Sequence, residues 1–463
     1  MDKRLVSAVM FSPRGGSAHV TRALLREIRR RGWGVRLVSG SRTDDGGGTD
    51  AEAFYSGIDL RAVDFVPALR ERDPIRPSGD VTPMHPSFEQ RPGAPDSVFA
   101  VLDDADFERQ TEAWARHLDA AGAAEADVLY LHHLTPINEA AQRVAPDLPV
   151  VGHLHGTELL MLEQIARGAP AEWPHAAEWE ARMRAWASTC ARLVVSPGSL
   201  DRACNLLQIG EEEMVPLPNG FDPDVFRPLE VDRYEHWKHH LVERPTAQLP
   251  NGRVLTYSEE ELDPVREGVI LLYVGRFTKV KRLPTLLEAF ADARESFERP
   301  AALIMVGGHP GEWEGEHPAN AISRLGLRDA FIAGWQSQEI LPRFLSAADA
   351  VILPSARESF GQTLVEGMAC GLPGIAANAL GPAWIVDDGE SGWLFEPDDV
   401  GRLRAALIEA VNDPDERQRR GANALAAVRS HFSWPLVATT LDGVLTEAAD
   451  LRLGQTREPA LDR

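Results

Sequence analysis

Two glutamates, Glu358 and Glu366, stand eight positions apart just after the apolar run Ala350–Leu353, with Ser-Phe-Gly between them. A Pro-Ser turn follows the run, and a helical pattern opens near Gly361 and continues to about Cys370. The first N–H groups of such a helix, here those of Phe360, Gly361, Gln362 and Thr363, have no partner within the helix. With the positive end of the helix dipole they form an anion cradle. Carboxylates repel phosphate, so Glu358 and Glu366 fit hydroxyl donors of a sugar or ribose. A second charged pair, Arg276 and Lys281, follows the apolar run Val269–Val274, where Arg grips phosphate as a fork and Lys acts as a point charge.

These residues need strands to carry them. Each set sits just after a short buried strand, and in a doubly wound sheet ligands bind in the crevice at the carboxyl ends of strands. An anion site flanked by two hydroxyl-binding acids suits a molecule that carries both phosphates and sugars, such as a nucleoside diphosphate sugar. Taken singly, each acid has a plainer use, since acidic residues near a helix start offset the dipole.

The combination Glu358-x7-Glu366 after a strand resembles the retaining GT-B glycosyltransferases, in particular glycosyltransferase family four. The resemblance extends to Gly275-Arg276-x4-Lys281, to Pro218-Asn219-Gly220-x-Asp222, to the Gly15-Gly16 pair and to His155-Gly156-Thr157. It implies that Glu358 contacts the donor sugar, Glu366 the ribose, and Arg276 and Lys281 the diphosphate, with His155 beside the transferred sugar. It also implies donor contacts from Gly16, Asn219, Gly275, Gly307 and the Gly334-Trp335-Gln336 loop, where Trp335 and Gln336 lie against the base. Trp335 reads equally as a base shield or as packing.

The remaining chain supplies a frame of Rossmann type. Leu5–Phe11, the loop Ser12–Ser17, the helix His19–Arg31 and the strand Val35–Ser39 form a strand–loop–helix–strand opening, without the full G-x-G-x-x-G spacing. From Ser41 to Asp127 the pattern is poor, with a Gly46–Gly48 loop, a Pro-rich run Pro74–Pro95 and one helix within Val101–Ala126. His132, His133, His153 and His155 cluster around two strands. The acidic ligands and H-x3-H spacing of zinc motifs are missing, so no metal is expected there. Tyr234–Glu267 reads as an insertion with solvated histidines, and Met214–Pro228 as a hinge.

The expected fold is α/β, two Rossmann-like domains facing across a cleft. Residues 1–197 form the acceptor side and 198–433 the nucleotide-sugar side, with a hinge near 214–228 and a helix at 434–452 crossing back. The expected function is metal-independent, retaining transfer of a hexose from a UDP- or GDP-sugar to an unknown hydroxyl acceptor, with no cofactor. A sugar-nucleotide epimerase, a pyridoxal-dependent phosphorylase and a non-catalytic sugar-nucleotide-binding protein are the rivals. The net charge of −22 argues against nucleic acid as a partner, and no apolar run is long enough to span a bilayer. Three widely spaced cysteines without C-x-x-C fit thiols in a reducing cytoplasm.

Overall fold

The computed structural model describes residues 3–13, 15–44, 48–89, 96–309 and 313–455. Expectations for Gly46 and Gly47, for the end of the Pro-rich run and for the tail after 455 lie outside these residues. The chain divides into two compact units, Met1–Pro218 with Trp434–Arg463, and Asn219–Ser433.

In the first unit the described strands are β1 (Arg4–Val9), β2 (Gly34–Ser41), β3 (Asp59–Asp64), β4 (Val128–His132), β5 (Val150–His153), β6 (Arg192–Val195) and β7 (Met214–Pro216). They pair in parallel in the order β3-β2-β1-β4-β5-β6-β7. Alternate residues face opposite ways along a strand, so a sheet covered on both faces needs apolar residues at every position. In β4, Leu129 and Leu131 enter one core while Val128 and Tyr130 enter the other. The helix Gly16–Arg30 follows β1 and buries Leu24, Leu25 and Ile28. The helix Trp434–Gln455 shares that core through Val437, Ala438, Leu441, Leu445 and Ala448. Arg31 donates to Thr439 Oγ1 at 2.8 Å and Trp33 to Asp442 Oδ1 at 2.7 Å, fixing the register of this closing helix.

The second unit holds β8 (Val269–Gly275), β9 (Ala301–Gly307), β10 (Ala330–Gly334), β11 (Ala350–Leu353), β12 (Gly374–Ala377) and β13 (Gly392–Phe395). All are parallel, in the order β10-β9-β8-β11-β12-β13. Ile270, Leu272 and Val274 of β8 point into one core, and Leu271 and Tyr273 into the other. The strand order reverses between β8 and β11, which is the ligand crevice of a doubly wound sheet.

Three expectations are corrected here. The boundary falls at Pro218/Asn219 and not at 197/198, because β7 extends the first sheet, pairing Leu193↔Met214 and Val194↔Val215. The expected hinge therefore begins as a strand. The weakly patterned stretch contains an unexpected edge strand of mixed residues, β3, while its expected helix spans Asp104–Ala120, capped by Asp103, which accepts from the Asp106 N–H at 2.9 Å. The Tyr234–Glu267 segment is part of the core. Trp237 and Leu241 are buried, and so is His236, which burial pushes down to about 3. A helix Arg233–Lys238 widens into a π-helical turn, His239–Glu243, to place them.

Candidate active site

The crevice between β8 and β11 gathers the charged residues of the second unit. After β8, Tyr273 donates its hydroxyl to the Arg276 carbonyl at 2.7 Å, folding the Gly275–Arg276 turn back on the strand. The Arg276 side chain is exposed and makes no ion pair among the described residues. Lys281 ends a 3₁₀ turn, Lys279–Lys281, and its ammonium pairs with the Glu358 carboxylate, both side chains being largely buried.

After β11 the chain reaches the helix Gln362–Ala369 through Gly361, whose φ of 111° is left-handed. A side chain there would be strained, so glycine is required. The helix itself supplies no partner for the N–H groups of Gly361, Gln362 and Thr363. Phe360 is buried and packs its ring against Phe432. The residues after β11 thus bring a positive helix end beside the Lys281–Glu358 pair.

Glu366 lies one turn into this helix and is only 3% exposed. Gln362 donates to its Oε1 at 3.1 Å and Gln338 to the same atom at 3.4 Å. Burial pushes the Glu366 carboxyl up to about 7, with the two amides pulling it part of the way back. Gln362 also donates to the Gly220 carbonyl at 2.9 Å, so the residue following Asn219 abuts the helix start. Gly307 is the register partner of Gly275, one strand away. Trp335 is 53% exposed and is therefore not core packing; its ring meets His309 edge-on. Gln336 donates to the Ala333 carbonyl at 3.1 Å.

Gly16 and His155 belong to the first unit. Gly16 begins the helix after β1, and His155 follows β5. Thr157 is the first residue of its helix and not its cap, a place taken by Gly156. The His155 ring bonds His132 Nδ1 at 2.9 Å, and the His155 backbone N–H donates to Glu158 Oε1 at 2.9 Å. Tyr130 contacts His153, and Thr21 lies 3.2 Å from His132 Nδ1. Burial first, then neighbouring imidazoles, holds His132 and His155 well below the usual histidine range and His153 at about 3. Burial alone would raise Glu158, but His133 and two backbone N–H groups outweigh it and hold the acid low. His132, His153 and His155 bring their ligand atoms within 4.8 Å of one another, and among the described residues they are the group that could hold a metal ion. Three neutral imidazoles suit a transition metal, yet the set contains no carboxylate and two of its rings already bond each other.

Sequence reasoning expects Arg276, Lys281, Glu358, Phe360–Thr363 and Glu366 in one crevice; the structure joins Lys281 to Glu358 and Gln362 to Glu366, and sets Arg276 just after β8. It missed Tyr273, Gln338 and Glu158. Tyr273 carries the one polar tip in an apolar strand, a signal that was open to reading. Gln338 had none.

The description "Glycosyl transferases group 1" matches residues 258–426, and "Glycosyltransferase Family 4" matches residues 14–225. Between them these matches take in most of the chain and every charged site residue named above. The chain belongs to the group 1 and family 4 glycosyltransferases. A D-inositol 3-phosphate glycosyltransferase of Nocardioides is 28% identical to this family member over 76% of the chain and 75% of the relative. D-inositol 3-phosphate glycosyltransferase 2 of Catenulispora acidiphila is 34% identical, over 42% of the chain and 46% of the relative, so that match spans about half of its length. Among solved structures, the sucrose-phosphate synthase of Thermosynechococcus elongatus superposes with a TM-score of 0.68 at 17% identity, covering 97% of this chain and 100% of the other. Alr3699/HepE of Anabaena, solved with UDP-glucose, gives 0.66 at 17% identity over 96% and 99%. These likenesses and the two parallel sheets give the GT-B fold. No helix among the described residues is long and apolar enough to cross a membrane.

Proposed function

We propose that this family member transfers a hexose from a nucleoside diphosphate sugar to a hydroxyl acceptor, with retention of anomeric configuration and without a divalent metal. One observation carries the reading. Two cations, two acids and a helix N-terminus converge where the strand order reverses between β8 and β11.

As the glycosidic bond breaks, the departing diphosphate gains negative charge. Arg276, Lys281 and the N–H groups of Gly361–Thr363 stabilise that charge, the role a metal ion would otherwise have. Glu358 takes the sugar hydroxyls and Glu366 the ribose hydroxyls, both as acceptors. Attack from the face that the diphosphate leaves, with the departing phosphate taking the acceptor's proton, gives retention with no covalent enzyme intermediate.

UDP-glucose is the first donor to test, since the structural neighbour was solved with it. D-inositol 3-phosphate is the first acceptor to test, by the names of the relatives. The experiment is transfer from an α-linked sugar nucleotide, with the product anomer read by NMR and a chelator arm alongside. An α-linked product formed at undiminished rate in chelator supports the reading. A β-linked product, or loss of activity in chelator with recovery on adding metal, overturns it.

A further inference from the structure

Residues 226–257 fall between the two family matches, yet their second half is joined to the site. Gln248 and Val254 form an antiparallel bridge, and Leu255 donates to the Ala247 carbonyl at 2.8 Å, so residues 246–255 make a hairpin. This hairpin covers β10, the edge strand of the second sheet. Thr246 donates to the Ala333 carbonyl at 3.2 Å, the Ile332 N–H donates to the Tyr257 hydroxyl at 2.9 Å, and Gln336 donates to Thr246 Oγ1 at 3.2 Å. The fit is close. A Cβ on Gly334 would lie 2.6 Å from the Ala247 nitrogen.

Beside this junction is a hollow of about 460 Å³, lined by Thr246, Gln248, His309, Trp335, Gln336 and Ile340 among others. Its position follows from the residues already described. Gly308, also in its wall, follows the register partner of Gly275, and Gln338, from the loop that carries Trp335, bonds Glu366. Diphosphate at Arg276 and Lys281, then ribose at Glu366, leads next to this hollow. The exposed Trp335 indole offers a stacking face, which every base accepts alike. A carboxamide is different, presenting donors and an acceptor in one plane.

Resting on the donor reading above, we infer that the hairpin is a specificity element and that Gln248 selects the nucleobase by pairing with its hydrogen-bonding edge. A site built to hydrogen-bond an edge rejects a ligand whose edge is blocked, because the site's polar group is left unpaired.

The test is calorimetric titration of the whole chain with UDP, GDP and ADP. The tightest binder is then compared with its edge-methylated form, N3-methyl for UDP or N1-methyl for GDP or ADP. The parent should bind the unmethylated nucleotide at least about ten-fold more tightly, a difference of about 1.4 kcal/mol. In Gln248→Ala, and in Gln248→Leu as a second variant that keeps the side-chain bulk, the two forms should bind within about two-fold of each other. Variants that discriminate as the parent does, or a parent indifferent to methylation, overturn the inference and leave the donor reading standing. Failure of all three nucleotides to bind the parent removes the donor reading, and this inference with it.

Discussion

Lys281 and Glu358 stand 77 residues apart in the chain, at the ends of two different strands, and meet in an ion pair. The lysine's charge is thus matched by the acid. On the proposed donor reading, a diphosphate would compete for Lys281 and release Glu358 to the sugar hydroxyls, coupling phosphate and sugar binding through one pair.

Lys281→Ala should lower turnover by about 100-fold or more, the scale of losing a charge-stabilising donor in a shielded site. Stability should fall by only about 1 kcal/mol, because the pair is not fully removed from solvent. Steady-state kinetics with thermal melts check this. A rate within a few-fold of the parent removes Lys281 from the reaction.

Glu366 sets a pH dependence whose sign is fixed by its raised value. Between the usual carboxyl range and about pH 7 the native state keeps a proton that the unfolded chain releases. This contribution is fully present below about pH 4.5 and is lost as pH rises to 7, by about 3 kcal/mol in all. Glu366→Gln should abolish that slope, and denaturant titrations at pH 5 and pH 8 should show the variant gaining on the parent as pH rises. The same change should weaken UDP binding at pH 8 about ten-fold, because a ribose hydroxyl loses its charged acceptor. An unchanged affinity would take Glu366 off the ribose.

Gly361→Ala places a Cβ on a left-handed residue 3.4 Å from both Ile385 and Leu364. The cost should be about 1–2 kcal/mol. The turn it holds aims the helix start, so diphosphate affinity should fall as well, in calorimetry at matched folded fraction. Loss of stability with affinity intact would mean that the cradle is not where phosphate binds.

The buried histidines predict acid sensitivity of the opposite sign. His153 is held at about 3, so as pH drops from about 6.5 the unfolded chain takes up a proton that the native state refuses. Stability should therefore fall on acidification through that window. Histidine-selective NMR should show the His153 imidazole neutral at pH 5. A protonated ring there would contradict its burial.

Much of this was legible because burial on two faces leaves a mark. The run Val269–Val274 could only be a strand covered on both sides, and charged residues just beyond such a run sit at its open end. The spacing of Glu358 and Glu366 carried the site in the same way. β3 escaped because its residues Asp59, Arg61 and Asp64 suit an edge half in solvent and break the apolar alternation. β7 escaped because three residues, the last of them a proline, are too few for a period. His236 reads as polar, and only the packing of Trp237 and Phe344 around it makes it a core residue. The Lys281–Glu358 pair depends on β8 lying next to β11, and strand order is a property of the sheet and not of any local stretch.

The helix Trp434–Gln455 has a consequence for how the chain is made. It seals the apolar faces of Leu24, Leu25 and Ile28, yet in the chain it follows the whole of the second unit. The second unit opens and closes at one place, where the Phe221 N–H donates to the Phe432 carbonyl at 2.8 Å, so it has all its pieces before those residues appear. The first unit is thus completed only after the second, and a chain cut between Ser433 and Trp434 would carry a finished second unit and a first unit with an uncovered, aggregation-prone face.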